Sequence, residues 1–95
     1  MNWRLSAAAT NDLEEIAAYI ARDNPQAAET WVVRLLEQVE HACLQPRAGR
    51  IVPESKHPDI REVFLRSYRI IYLVEADSLF VLRIIEGHRQ LRGLQ

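Results

Sequence analysis

The spacing of apolar residues changes once along the chain, and that change constrains the fold more than any other feature. Up to residue 44 they recur with a helical period, whereas residues 60–85 hold three dense β-branched and aromatic runs. In the stretch 7–22, Ala9, Leu13, Ile16, Ala17 and Ile20 fall at i, i+4, i+7, i+8 and i+11, one stripe of a 3.6-residue repeat. Asp12, Glu14, Glu15 and Arg22 lie largely away from that stripe. Ser6 stands ahead of it as an N-cap, and Asn2 to Leu5 alternates polar and apolar like a short strand. Asn24-Pro25 then starts a second helix, because asparagine caps and a proline at the first helical position gives up a donor that had no partner. That helix runs from about Pro25 to Leu44 with Ala28, Trp31, Val32, Leu35, Val39, Ala42 and Cys43 on one face.

Pro46, Gly49, Pro53 and Pro58 punctuate residues 46–59, which predicts a loop. After it, Ile60–Leu65, Tyr68–Val74 and Leu79–Ile85 read as strands, joined through Arg66-Ser67 and through Glu75-Ala76-Asp77-Ser78, connections short enough for an antiparallel meander. Two amphipathic helices with so tight a turn between them pack antiparallel and must bury their stripe on the sheet. The expectation is an α+β fold of one domain over residues 1–95, ordered β-α-α-β-β-β in two layers, an antiparallel sheet covered by a helical hairpin. Trp31, Tyr19 and Phe64 suit the space between the layers, and Cys43 reads as a small buried hydrophobe.

Many chemistries find no support. A lone cysteine forms no internal disulfide, and no clustered Cys/His spacing offers a metal site. The 3 glycines, at 49, 87 and 93, make neither GxGxxG nor a phosphate loop, so no cofactor is expected. Apolar runs are too short to span a membrane, and Met1-Asn2-Trp3-Arg4 lacks the order of a signal peptide, which together predict a cytoplasmic protein with no membrane contact.

Net charge is only −1, unlike a general nucleic-acid binder, but it is unevenly placed. Residues 1–45 hold Arg4, Arg22 and Arg34 against seven acids, a net of −4, while residues 46–95 hold nine Lys/Arg against six acids, a net of +3. The basic half leaves room for a localised contact with an anionic partner. Each meander strand carries one arginine, Arg61, Arg69 and Arg83. Any one of them is most simply a solvated side chain on an alternating strand, but three on one face would form an array of planar forks suited to phosphate or carboxylate. The pairing register decides between these, and the sequence leaves it open. His88, after Gly87, is either a surface residue at a strand end or a general acid. Glu54 reads as a solvated loop carboxylate, His57 as a loop side chain, and His41 as a cation suited to the end of the second helix.

The segments Asp12-Leu13-Glu14-Glu15-Ile16 with Tyr19-Ile20, Asn24-Pro25-Gln26-Ala27-Ala28, Gly49-Arg50-Ile51-Val52-Pro53-Glu54, Ile60-Arg61-Glu62, Tyr68-Arg69-Ile70-Ile71-Tyr72 and Gly87-His88-Arg89 together resemble the RelE/ParE superfamily of bacterial toxins. The resemblance covers almost the whole chain and implies a type II toxin neutralised by a small cognate antitoxin with an N-terminal DNA-binding part. An amphipathic antitoxin segment, lying in a groove or adding a strand, is expected to meet Trp3, Leu13, Ile16, Ile20 and Trp31. Two activities share this fold. ParE-like members bind DNA gyrase without cutting RNA, and the first helix, the Asn-Pro turn and the Gly-His-Arg close favour that reading, with Arg83, His88, Arg89 and Arg92 as the target contact. RelE-like members cut messenger RNA on the ribosome. In that alternative Glu54 deprotonates a ribose 2′-hydroxyl, Arg69 with Arg61 stabilises phosphorane charge, and His88 protonates the leaving oxygen, with no metal.

Overall fold

In the computed structural model, residues 2–87 are described. The elements are β1 (Asn2–Leu5), α1 (Ala7–Ala21), α2 (Pro25–Leu44), a 3₁₀ turn (Pro46–Ala48), β2 (Arg50–Ile51), β3 (Ile60–Leu65), β4 (Tyr68–Val74) and β5 (Ser78–Glu86). Both helix starts lie where the capping residues place them. The Ser6 hydroxyl accepts the Ala9 amide at 2.9 Å, and the Asn24 side-chain oxygen accepts the Ala27 amide at 3.1 Å. Ser6 also donates to the Leu82 carbonyl at 2.8 Å, so one hydroxyl caps α1 and fastens it to β5.

The sheet runs β1-β5-β4-β3-β2, antiparallel from β2 to β5, and β1 adds to β5 in parallel. The parallel edge is possible because the rest of the fold serves as the long crossover such a pair requires. The loop expected over 46–59 contains structure of its own, since Arg50 and Ile51 pair with Glu62 and Arg61 as an extra edge strand. The register between β4 and β5 shifts within the sheet, with Ile71 opposite Arg83 but Tyr72 opposite Val81, leaving Leu82 as a bulge.

The main core lies between helices and sheet, where Ala9, Leu35, Val39, Ile70, Val81 and Ile84 pack together. Ala42, Cys43, Tyr72 and Leu79 extend it toward the end of α2. A further cluster, Val52, Ile71 and Ile85, occupies the opposite face, which the loop covers. Close approach of that loop requires glycine at 49, where a Cβ would collide with the Tyr72 hydroxyl and lie 2.8 Å from the Glu62 carbonyl oxygen. Tyr72 in turn donates to the Pro46 carbonyl at 2.6 Å.

Three expectations change. Tyr19 is 71% exposed and Phe64 45% exposed, so neither fills the interlayer space. Phe64 lies opposite Arg69 on the face away from the helices, one position off the inward alternation. Asp12, expected on the solvated side of α1, is buried.

Candidate functional site

Cross-strand register decides where the arginines go. Phe64 opposes Arg69 and Glu62 opposes Ile71, while Arg69 and Ile71 oppose Ile85 and Arg83, so Glu62, Phe64 and Arg69 share the outer face. Arg61 opposes Tyr72 and lies on the other face. The array of three guanidinium groups therefore does not form.

On the outer face Arg69 is buried and its fork is filled by carboxylates. Nε donates to Glu62 at 2.7 Å, while the two terminal nitrogens donate to the two oxygens of Glu54 at 2.8 and 2.9 Å. Arg50 closes the set with 2.5 Å from its Nε to the second oxygen of Glu62. Two guanidinium groups thus balance two carboxylates. The paired hydrogen bonds that Arg69 donates to Glu54, with a lesser contribution from Glu62, outweigh burial and hold its guanidinium more firmly protonated than a free arginine. Glu54, expected to be a solvated carboxylate, instead ties the loop down onto β4. Glu54 and Arg69 are adjacent, as the nuclease alternative needs, but each is committed to the other.

Arg61 grips backbone. Its Nε donates to the Pro58 carbonyl at 2.7 Å and its Nη1 to the Arg47 and Gly49 carbonyls at 3.0 Å each. It fastens both ends of the loop and does not join the Glu54–Arg69 pair. His57 accepts the Asp59 amide at Nδ1, a turn-forming contact. His41 is exposed near the end of α2 as expected.

Arg83 is also engaged. Its Nε and Nη2 donate to the two oxygens of Asp12 at 2.7 and 2.9 Å, and that carboxylate also accepts the Ile84 amide at 2.9 Å. The Asp12 hydrogen bonds hold the Arg83 guanidinium above its ordinary pKa. Of the residues expected to contact the target, Arg83 therefore links α1 to β5, and His88, Arg89 and Arg92 lie outside the described residues.

The residues expected to meet an antitoxin do not share one place. Ile16 lines a groove of about 420 Å³ between α1 and β5, together with Glu15, Tyr19, Tyr68, Ile84 and Glu86. Trp31 is half-buried and meets Tyr68 edge to face, ring centres 5.7 Å apart. Leu13 packs on the main core, Ile20 is half-buried on α1, and Trp3 packs on β5's side of both inner clusters while its indole N–H donates to Glu40 at 2.6 Å. Sequence reasoning missed Glu15, Tyr19 and Tyr68. The available signal was the three-residue spacing from Ile16 to Tyr19, which places both on one side of a helix. Beyond Val81 no described strand pairs with the outer edge of β5, since β1 pairs only with residues 78–81.

Among the described residues no group of three or more His, Cys, Asp or Glu could hold a metal ion, and no helix is long and apolar enough to cross a membrane. Buried Cys43 has its thiol pKa raised, chiefly by desolvation.

A search of curated proteins found no match. Among solved structures, the chain is similar to one described as the chromosomal ParDE TA system from P. aeruginosa, at a TM-score of 0.73 and 25% identity, covering 90% of this chain and 95% of that one. The model of the family described as the ParE toxin of the type II toxin-antitoxin system parDE matches residues 3–91, a span that begins inside β1 and holds both helices, β2 to β5 and the loop between α2 and β3. The chain therefore belongs to the ParE toxin family.

Proposed function

We propose that this chain is a toxin that acts in the cytoplasm by binding DNA gyrase directly, is not a nuclease, and is silenced by its cognate antitoxin. The observation that carries a binding rather than a cleaving activity is the Glu54–Arg69 pair: both carboxylate oxygens face one guanidinium at 2.8 and 2.9 Å, while Glu62 takes the remaining fork position. A general base must present its carboxylate to a substrate hydroxyl, and a phosphorane clamp must present its guanidinium to phosphate. Here each satisfies the other. The basic segment His88, Arg89 and Arg92 serves as the target contact. For the antitoxin we assign the groove between α1 and β5, whose apolar floor and acidic Glu15 and Glu86 suit a segment carrying apolar and basic side chains.

Purified toxin tested side by side on gyrase supercoiling and on in vitro translation separates the readings. Blocked supercoiling with intact transcripts is the expected result; cleaved messages with unaffected gyrase would reverse the assignment.

A further inference from the structure

β2 pairs only with Arg61 and Glu62, so no described strand lies beside the last residues of β3, Val63, Phe64 and Leu65. The rungs before them show which way their backbone points. The Ile60 carbonyl faces outward and receives the Val52 amide at 3.1 Å, and Glu62 lies opposite Arg50. A strand repeats every two residues, so Phe64 turns its N–H and C=O to that same edge. A side chain meets the carbonyl where a strand would: the Gln38 amide of α2 donates to it at 3.4 Å, longer than an ordinary bond of this kind. No described strand offers an acceptor to the Phe64 N–H.

Apolar surface flanks this edge on both faces. On the helix side, Val63 lines a groove of about 350 Å³ with Gln38, His41, Ala42 and Leu44, and Leu44 is 78% exposed. On the outer face the Phe64 ring is 45% exposed. The opposite edge of the sheet is closed by comparison. On β5 the Leu82 carbonyl accepts the Ser6 hydroxyl at 2.8 Å and the Ile84 amide donates to Asp12 at 2.9 Å, so a strand laid along residues 82–84 would find that acceptor and that donor engaged.

We propose that an extended segment of the antitoxin adds to the sheet at Val63–Leu65, in line with β2, exchanging hydrogen bonds with Phe64 and placing an apolar side chain in the groove beside Val63. This rests on the antitoxin reading above and adds a second contact, across the sheet from the groove between α1 and β5. Backbone pairing supplies the affinity in such an addition, and the alternate side chain in its pocket supplies the selection. A second copy of this chain fits the edge poorly. Antiparallel pairing centred on Phe64 would set each Arg66 opposite Glu62 of the other copy, a position that Arg50 already fills. The occupant is therefore a separate extended segment that ends or turns away before it reaches β2.

Hydrogen exchange read residue by residue on the wild-type chain, free and saturated with its cognate antitoxin, tests this without any substitution. The Phe64 amide should exchange quickly in the free chain and slow by about tenfold or more in the complex, whereas the Ile84 amide, bonded to Asp12, should be slow in both. Phe64→Pro removes the edge donor and leaves the bonds between β3 and β4, since proline is tolerated where a strand's N–H faces outward. It should bind the antitoxin about tenfold more weakly than Phe64→Ala, which loses the ring and keeps the donor. An unchanged Phe64 exchange rate in the saturated complex would overturn the proposal, and so would equal affinities of the two folded variants. Protection that grows with toxin concentration in the absence of antitoxin would assign the edge to a second copy and overturn it as well. A wild-type chain that binds no antitoxin would overturn the reading beneath it.

Discussion

Asp12 grips Arg83 through both carboxylate oxygens, at 2.7 and 2.9 Å, and one of those oxygens also receives the Ile84 amide. A single side chain on α1 thereby satisfies a guanidinium and a backbone donor on the side of β5 that β1 leaves uncovered. Burial of this carboxylate is compatible with folding because every hydrogen bond it accepts is made within the protein.

Replacing Asp12 tests that relationship. Asp12→Ala leaves the Ile84 amide without an acceptor and a part-buried guanidinium without a counter-charge, a loss expected to be roughly 2–3 kcal/mol. Asp12→Asn keeps one acceptor and should cost less. Urea unfolding of the two variants measures both, and equal losses would show that the charge, and not the acceptor for the Ile84 amide, carries the contact.

The quartet on the outer face should respond more sharply. Arg69→Leu leaves Glu62, which is 1% exposed, with Arg50 as its remaining guanidinium partner, and removing one partner from a buried charge set costs up to roughly 3–5 kcal/mol. Adding Glu62→Gln to Arg69→Leu should recover part of that loss, because the buried charge is then gone. A double-mutant cycle over Glu54 and Arg69 reads their coupling, and a coupling near zero would mean the loop is held by its other contacts, Val52, Arg61 and the Tyr72 hydroxyl among them.

What the sequence disclosed and what it withheld follow from the range of the interactions. The helices were legible because Ser6, Asn24 and Pro25 act within one turn of themselves, and the meander because β-branched runs and short turns are local signals. Asp12 was misplaced because a helical period describes a helix by itself and contains no record of the amide of Ile84, 72 residues away. Arg69 read as a solvated strand residue for a similar reason. The outer face is covered by Val52 and Glu54 from a proline-rich segment that the sequence marks only as a loop. The family resemblance named Glu54 and Arg69 in one set of groups, but the carboxylate of Glu62 between strands and loop changes what the pair can do. The two-residue β2 is too short to leave a periodic signal.

Alkaline pH should weaken the fold through three raised acids. Burial pushes the Cys43 thiol and the Tyr68 and Tyr72 phenols above their ordinary values of 9.0, 10.0 and 10.0. A raised pKa means that the folded state keeps protons which the unfolded chain gives up, so this stability is full below the unfolded values and is lost as pH rises through the folded ones. Thermal unfolding scans should therefore fall from about pH 9 upward. Tyr72→Phe costs about 1 kcal/mol at neutral pH through the lost bond to Pro46, yet should flatten the alkaline limb. A limb as steep in that variant as in the wild type would place the titration elsewhere.

The groove between α1 and β5 offers the most direct test of antitoxin docking. Tyr19 lines it and is 71% exposed, so Tyr19→Ala removes contact area at little cost to the fold. Glu15→Lys reverses one charge of the acidic rim, also at the surface. If a basic, apolar antitoxin segment lies there, each change should weaken toxin–antitoxin binding roughly tenfold, equivalent to about 1.4 kcal/mol. Gyrase inhibition should be unchanged, since neither residue belongs to the basic segment proposed as the target contact. A shallow apolar depression of about 540 Å³ on the hairpin's outer side, lined by Ala17, Ala21, Ala28, Val32 and Val33, provides the contrast. Calorimetric titration in which Val33→Asp abolishes binding while Tyr19→Ala and Glu15→Lys leave it intact would move the antitoxin from the sheet edge to the back of the helices, where no acidic rim from β5 selects its basic side chains.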